Sequence, residues 1–341
     1  MKQSRYLIAR IDRIGDVVLS TPLPREIKRN DPESFVAVLV RHYTKDIYLN
    51  NPFVDVIICF DNPDKSEKTV WELVRELKKY KFSHAFMLLP NEKLNYALFL
   101  CGIKYRVGVG HKLYQFITFS KYVDRKKYIP LRHEADYNLD MLRKFKIPVK
   151  DDYPEIYLSN EEIKLASEIK LGFKKAGRPI IGVNTTSGNS VPNLSVNIYK
   201  ELIELLIKSN KYEVLITDFI VPKEIKNIPG ARYIFTGESL RSDIIRFSIL
   251  DVLVSNSTGP MHICAALKVP TFSVFCPLTA CSKELWGALG NKSKALLPEK
   301  SYCDTQCPID PKKCDYSSPG GLTAEHVFNE LTRFVDSGIQ K

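Results

Sequence analysis

Two carboxylates and two hydroxyl-rich stretches carry the chemistry most readily named in this sequence. Asp16 follows Gly15 just beyond the apolar run Tyr6 to Ile11, where a strand gives way to a helix. A carboxylate there could take a proton from a substrate hydroxyl within hydrogen-bond reach. The same position also suits an N-cap for a helix from Val17, and Asp12 competes for either role. Asn184-Thr185-Thr186-Ser187-Gly188-Asn189-Ser190 offers small hydroxyls and backbone amides to a diphosphate, or is a plain polar loop. It has no lysine, so it is not a P-loop. In Ser255-Asn256-Ser257-Thr258-Gly259-Pro260-Met261-His262, proline falls in the first turn of a helix, whose unpaired amides make a natural phosphate seat. Ser257, Thr258 and Gly259 could stabilise a departing phosphate, while His262, by its position alone, reads as a structural group ahead of a ligand.

These residues need strands to aim them. Tyr6–Ile11, Phe35–Val40, Asp55–Phe60, His84–Leu89 and Arg106–Gly110 read as strands, with helices over Lys68–Tyr80, Lys93–Leu100 and Asp136–Phe145. After the polar, proline-punctuated stretch Ile147–Tyr157 a charged helix runs from Asn160 to about Ala176. The alternation then restarts, with strands at Pro179–Asn184, Glu213–Thr217, Ala231–Phe235 and Val252–Ser255, helices at Ile198–Ile207 and Leu240–Leu250, and a closing helix Thr323–Val335. Alternating βα units give mainly parallel sheets, so the expected class is α/β, with two Rossmann-like domains, 1–155 and 156–341, and a cleft between them. In such sheets ligands gather at the carboxyl ends of the strands, where Asp16, Thr185 and Ser257 all fall.

The 341 residues are 44% apolar and 26% charged, the composition of a globular protein. The net charge of +11 points to an anionic partner. Lys104, Arg106, His111, Lys112, Lys121, Arg125, Lys126, Lys127 and Arg132 concentrate that charge in one segment, as an anion-binding surface or a solvated face. No recognised nucleic-acid motif accompanies it, and none is expected to bind. No apolar run is long enough to span a membrane, so a cytoplasmic protein is expected, with a peripheral place at a membrane open to it. Eight cysteines are too dilute for a disulfide scaffold. Cys303, Cys307 and Cys314 supply three metal ligands without a CxxC pair, which favours reduced thiols over structural zinc. HExxH, GxSxG and GxxxxGK[ST] are absent, and Gly108-Val109-Gly110 lacks the third glycine of the dinucleotide fingerprint.

The combination resembles glycosyltransferase family 9, the lipopolysaccharide heptosyltransferases and their relatives. The likeness rests on Arg10-Ile11-Asp12-Arg13-Ile14-Gly15-Asp16-Val17 with Thr21-Pro22, on His133-Glu134 with Asn138-Leu139-Asp140, and on Ser255 to Leu267 followed by Val269-Pro270-Thr271. The resemblance implies a GT-B fold and inverting, metal-independent transfer of a sugar, typically from ADP-heptose, to a lipopolysaccharide core, with no cofactor. It implies Asp16 as general base, Thr185, Thr186 and Ser187 on the nucleotide side, and Ser257, Thr258, Gly259 and His262 at the donor turn. Lys126, Lys127 and Arg132 would then face an anionic glycolipid or glycan acceptor, with the inner-membrane surface as a peripheral partner. Two departures stand out: Ser257 where many members carry Asp, and Val191-Pro192-Asn193 where many carry a basic residue. The alternatives are a nucleotide-sugar epimerase of the same build and a nucleotide-sugar-binding protein without transfer.

Overall fold

The computed structural model describes residues 3–126, 128–173, 177–188, 191–308, 310 and 313–339. They form two units, Met1–Tyr157 and Leu158–Lys341. In the first, β1 (Arg5–Ala9), β2 (Phe35–Val40), β3 (Val56–Cys59), β4 (His84–Met87), β5 (Tyr105–Val109) and β6 (Lys121–Val123) make one sheet in the order β3-β2-β1-β4-β5-β6. Every pairing in it is parallel. In the second, β7 (Ile180–Val183), β8 (Glu213–Ile216), β9 (Ala231–Tyr233), β10 (Val252–Asn256), β11 (Thr271–Val274) and β12 (Ser293–Leu296) follow the order β12-β11-β10-β7-β8-β9, again all parallel.

The central strands are unbroken apolar runs because helices cover both faces of a parallel sheet. Val36–Val40 and Ile180–Val183 are buried throughout. Burying each valine, leucine or isoleucine of these runs contributes roughly 1.5–3 kcal/mol, which is what drives the layers together. Gly182 packs closely, since a β-carbon there would lie 2.4 Å from Leu250 Cδ1 and the buried leucine would have to shift. The stretch after residue 147 is extended and tied to the first unit. Glu26 accepts from the Lys150 amide at 2.7 Å, Thr21 accepts from the Glu155 amide at 3.0 Å, and Arg25 pairs with Glu155 at 2.8 Å.

Both sheets contain a switch point, where the chain leaves one neighbour of the founding strand and builds on the other side. It lies between β1 and β4 in the first unit and between β7 and β10 in the second. Loops leaving the carboxyl ends of such strands diverge and leave a crevice, the usual ligand seat of open α/β sheets.

Local structure departs from expectation in several places. The first helix, α1, runs Ile14–Val18, so Gly15 and Asp16 lie inside its first turn and Arg13 is the N-cap; Asp16 is not a cap. Helix α2 then restarts at Pro22 and runs to Asn30, the proline standing where a missing amide costs nothing. The short strands β6 and β12, and the short helices Leu113–Ile117, Lys283–Trp286 and Lys300–Gln306, lack the apolar periodicity that announces the others. The helix from Asn160 is described to Phe173; the rest of its expected span lies outside the described residues.

Candidate active site

In the first unit β1 ends at Ala9, and the next residue, Arg10, is buried at the centre of a charge network. Its guanidinium donates to Asp12 Oδ1 at 2.7 Å, to Asp16 Oδ1, to Asn138 Oδ1 at 3.0 Å, to Glu134 Oε1 at 3.4 Å and to the Leu88 carbonyl at 3.4 Å. Leu88 follows β4, so the arginine bridges the switch point. Glu134 and Asn138 are four apart on helix Glu134–Arg143, which puts them on one face toward Arg10. Arg125 closes the network, donating to Glu134 Oε2 at 2.6 Å and to Asn138 Oδ1 at 3.3 Å. Burial works against the Arg10 charge, but Asp12, Asp16 and Glu134 outweigh it and hold the guanidinium above its ordinary value.

Asp12 and Asp16 face outward from this hub, each side chain about one-fifth exposed (18%). Burial pushes the Asp12 carboxyl up to about 6, with Arg10 pulling it down and the Asp16 charge adding to the rise. The result is an oriented carboxylate pair open to a ligand at a strand's carboxyl end. Sequence reasoning named both aspartates and missed Arg10 as their organiser, although Arg10, Glu134 and Asn138 all belong to the blocks that carried the resemblance.

The basic segment is less free than its composition suggests. Arg132 lies over the Tyr137 ring at 4.3 Å and pairs with Asp136 at 2.6 Å and Asp140 at 2.5 Å. Two carboxylates thus already satisfy the guanidinium that the spacing offered to an anionic acceptor, and Arg125 serves Glu134. Lys126 is exposed, with its backbone amide on Asp124 Oδ1 at 2.9 Å; Lys127 lies outside the described residues.

In the second unit the two hydroxyl-rich stretches meet. β7 and β10 are neighbours, with Val183 opposite Val254, so the loops after Val183 and Asn256 leave the sheet side by side. Asn256 Nδ2 donates to the Pro192 carbonyl at 2.6 Å, and its Oδ1 accepts from the buried Tyr199 hydroxyl at 3.1 Å. Asn193 returns to the first loop, donating to the Thr185 carbonyl at 2.8 Å. Pro192 and Asn193 therefore fasten one loop to the other.

The Thr185 loop differs from expectation in what its donors do. The Asp218 carboxylate, just past β8, accepts from the Thr185 amide at 2.9 Å, the Thr185 hydroxyl at 2.9 Å, the Thr186 amide at 2.9 Å and the Thr186 hydroxyl at 2.7 Å. Asn184 Nδ2 adds a fifth bond at 3.2 Å. An internal anion fills the cluster that sequence reasoning assigned to a diphosphate, because the partner lies more than thirty residues away and no local pattern announces it. Burial raises the Asp218 pKa and the threonine bonds pull against that rise. Thr185 and Thr186 are thus shaped by Asp218. Asp218→Ala should cost about 1–3 kcal/mol for the donors left unsatisfied, read by urea denaturation; an unchanged midpoint would show that water replaces the carboxylate without loss.

What remains open is a crevice of about 360 Å³ beside this loop, lined by Thr186, Ser187, Gly188 and Asn193 on one side and Lys313, Cys314 and Asp315 on the other. Asn189 and Ser190 lie outside the described residues. Lys313 comes from far along the chain and restores to this crevice the basic group that the loop itself lacks. After β10, helix Gly259–Ala266 starts at Thr258 with Pro260 in its first turn. The Thr258 side chain leaves this helix uncapped, its hydroxyl turning instead to the Asn256 carbonyl at 3.4 Å. Ser257, Thr258 and His262 are all buried at this turn.

The cysteine trio gains company. Burial raises the Cys303 thiol, and so does the nearness of Cys276, Cys307 and Cys314. A hydrogen bond with Cys281, together with burial, raises Cys276. All eight cysteines are free thiols, and among the described residues no three His, Cys, Asp or Glu side chains are arranged to hold a metal.

Two mostly parallel α/β units with helices on both faces, each with polar loops at its switch point, define a two-domain fold of the GT-B class. The family pattern for glycosyltransferase family 9 (heptosyltransferase) matches residues 70–312, and the chain belongs to that family. A family 9 glycosyl transferase from Veillonella parvula superposes with a TM-score of 0.79 at 18% identity, over 98% of each chain. Escherichia coli ADP-heptose lps heptosyltransferase II does so with a TM-score of 0.73 at 17% identity, over 98% of this chain and 99% of its own. At these identities the likeness is one of fold. A Haemophilus influenzae protein with a provisional glycosyltransferase name is 24% identical over 309 residues, 85% of this chain and 87% of its own.

Proposed function

We propose that the protein is an inverting, metal-independent glycosyltransferase that moves heptose or a related sugar from a nucleoside-diphosphate donor to a lipopolysaccharide-core or related glycan. The observation that carries this reading is the pairing of β7 with β10 at a switch point, with Asn256, Tyr199 and Asn193 locking the two hydroxyl-rich loops together. In this reading the first unit activates the acceptor and the second holds the donor. Asp16 takes the proton of an acceptor hydroxyl as its oxygen attacks the anomeric carbon. The bond from that carbon to the diphosphate oxygen breaks, and the diphosphate departs with the electron pair. Arg10 fixes the direction of the Asp16 carboxylate. Charge developing on the leaving group meets the first amides of helix Gly259–Ala266, the Ser257 hydroxyl, the Thr258 hydroxyl once it turns from the Asn256 carbonyl, and the Lys313 ammonium. Thr185 and Thr186 act through their shape, with Asp218 as the positioning residue, and Ser187 faces the phosphates directly. The reaction is assigned to the cytoplasm, at the inner-membrane surface.

A thermal-shift panel of nucleoside diphosphates and nucleotide sugars tests the donor half of this reading. A ligand at about one hundred times its dissociation constant stabilises the folded state by about 2.7 kcal/mol, so one base and sugar should stand out from the panel. A flat panel would remove the second unit as a donor site. Stabilisation by a donor, followed by acceptor-independent change of its sugar, would favour the epimerase instead.

A further inference from the structure

The segment after β5 is built inside out. Helix Leu113–Ile117 and the residues that follow bury polar side chains, with Gln115 at 2% and Thr118 at 1% exposure, and present apolar ones, with Leu113 at 75%, Phe116 at 81% and Phe119 at 86%. The three-residue spacing sorts the two sets onto opposite faces. The polar face is anchored. Gln115 accepts from the Lys112 amide at 2.9 Å, and the Thr118 hydroxyl donates to the Tyr114 carbonyl at 2.7 Å and accepts from Asn95 Nδ2 at 2.9 Å. Arg106 adds a bond to the Thr118 carbonyl. Phe119 is held at φ +55°, a conformation disfavoured for a bulky side chain, and is still aimed at solvent. The fold thus spends buried hydrogen bonds and backbone strain to keep aromatic and aliphatic groups outside, where a soluble surface gains nothing from them.

The apolar groups line a concavity of about 650 Å³ whose rim carries His111, Lys112 and Lys121. Tyr122 shares its wall, and the exposed Ile129 continues the apolar character further along the chain. The surrounding charge is lopsided: residues 104–132 hold nine basic side chains, counting His111, and Asp124 as their only acid. His111 takes up that acid at 3.4 Å, and Lys104, Lys112, Lys121 and Lys126 are exposed. Apolar groups that enter the acyl boundary, ringed by cations that meet headgroup phosphates, fit the interface of an anionic bilayer. A neutral protein partner would leave the lysines uncompensated.

We propose that this face, with Leu113, Phe116 and Phe119 inserted and Lys112 and Lys121 at headgroup level, docks the protein on an anionic lipid bilayer. The inference extends the reading of a lipid-linked acceptor, but vesicle binding is measured without sugar transfer, so either can fail alone. The test is cosedimentation of the full chain with vesicles of phosphatidylcholine containing about 30 mol% phosphatidylglycerol, and with phosphatidylcholine alone. The wild type should sediment with the anionic vesicles, weakly with the neutral ones, and progressively less as salt rises. The L113S/F116S/F119S variant should lose roughly tenfold or more of that partitioning while keeping the wild-type melting temperature. K112Q/K121Q, which spares the apolar face, should lose the preference for anionic lipid. Equal sedimentation of wild type and the triple variant would overturn the proposal. So would a wild type that ignores vesicles and forms a dimer, read by light scattering, that the triple variant dissociates, since the face would then bind a second copy of the chain.

Discussion

Asp16→Asn is expected to lower turnover by a factor of about 10² to 10⁴, the range over which a positioned general base contributes, with donor affinity nearly unchanged. The asparagine keeps the size of the side chain and can still accept from Arg10, so the hub survives while the basic oxygen is lost. The pH profile should carry the same signature. The Asp12 carboxyl, pushed up to about 6 by burial, takes up a proton as pH falls through that value, and this withdraws the negative potential that helps draw the acceptor proton toward Asp16. Wild-type turnover should therefore fall as pH drops through about 6 and level off above it. Asp12→Asn removes the group that titrates there and should abolish that inflection near pH 6. Turnover within a few-fold of wild type in Asp16→Asn would take Asp16 out of the mechanism.

The second large effect falls on stability. Arg10→Ala withdraws the one guanidinium shared by Asp12, Asp16, Glu134 and Asn138, and Glu134 is fully buried. Removing one partner from a buried charge network costs about 3–5 kcal/mol, because the remaining charges are left unpaired in a medium that solvates them poorly. Arg125 still holds Glu134 at 2.6 Å, which places the expectation toward the lower end of that range. Thermal unfolding should show a transition moved down by roughly 10 °C. Arg10→Lys should recover only part of the loss, since an ammonium cannot repeat the planar fork that reaches several acceptors at once. A loss below about 1 kcal/mol in Arg10→Ala would mean that the network contributes little beyond its desolvation cost.

The strands that build the two sheets could be read directly, because a parallel strand covered on both faces must be a run such as Phe35 to Val40. The short edge strands could not: Lys121–Val123 and Ser293–Leu296 are three and four residues of mixed polarity and are strands because of what they lie beside. The positions of Asp16, Thr185 and Ser257 at strand ends followed from alternation alone. What those side chains contact did not. Asp218 reaches Thr185 and Thr186 only because β7 and β8 are neighbours, and Lys313 enters the same crevice from the far end of the chain. The engagement of Arg132 was not legible, since it stands before helix Glu134–Arg143 and meets Asp136 and Asp140 only because of how the chain enters that helix. Nor was the inverted face at Leu113 to Phe119, because a short apolar run says nothing about which side faces inward.

The central claim is that this chain transfers a sugar with inversion. Its most direct test is an assay of the full chain with the donor selected by the thermal-shift panel and a lipopolysaccharide-core acceptor, following nucleoside diphosphate release and the anomeric configuration of the product by NMR. The account predicts release that depends on acceptor, requires the Asp16 carboxylate, and gives a product of configuration opposite to the donor. Release at one rate with or without acceptor, or a product that retains the donor's configuration, would contradict it.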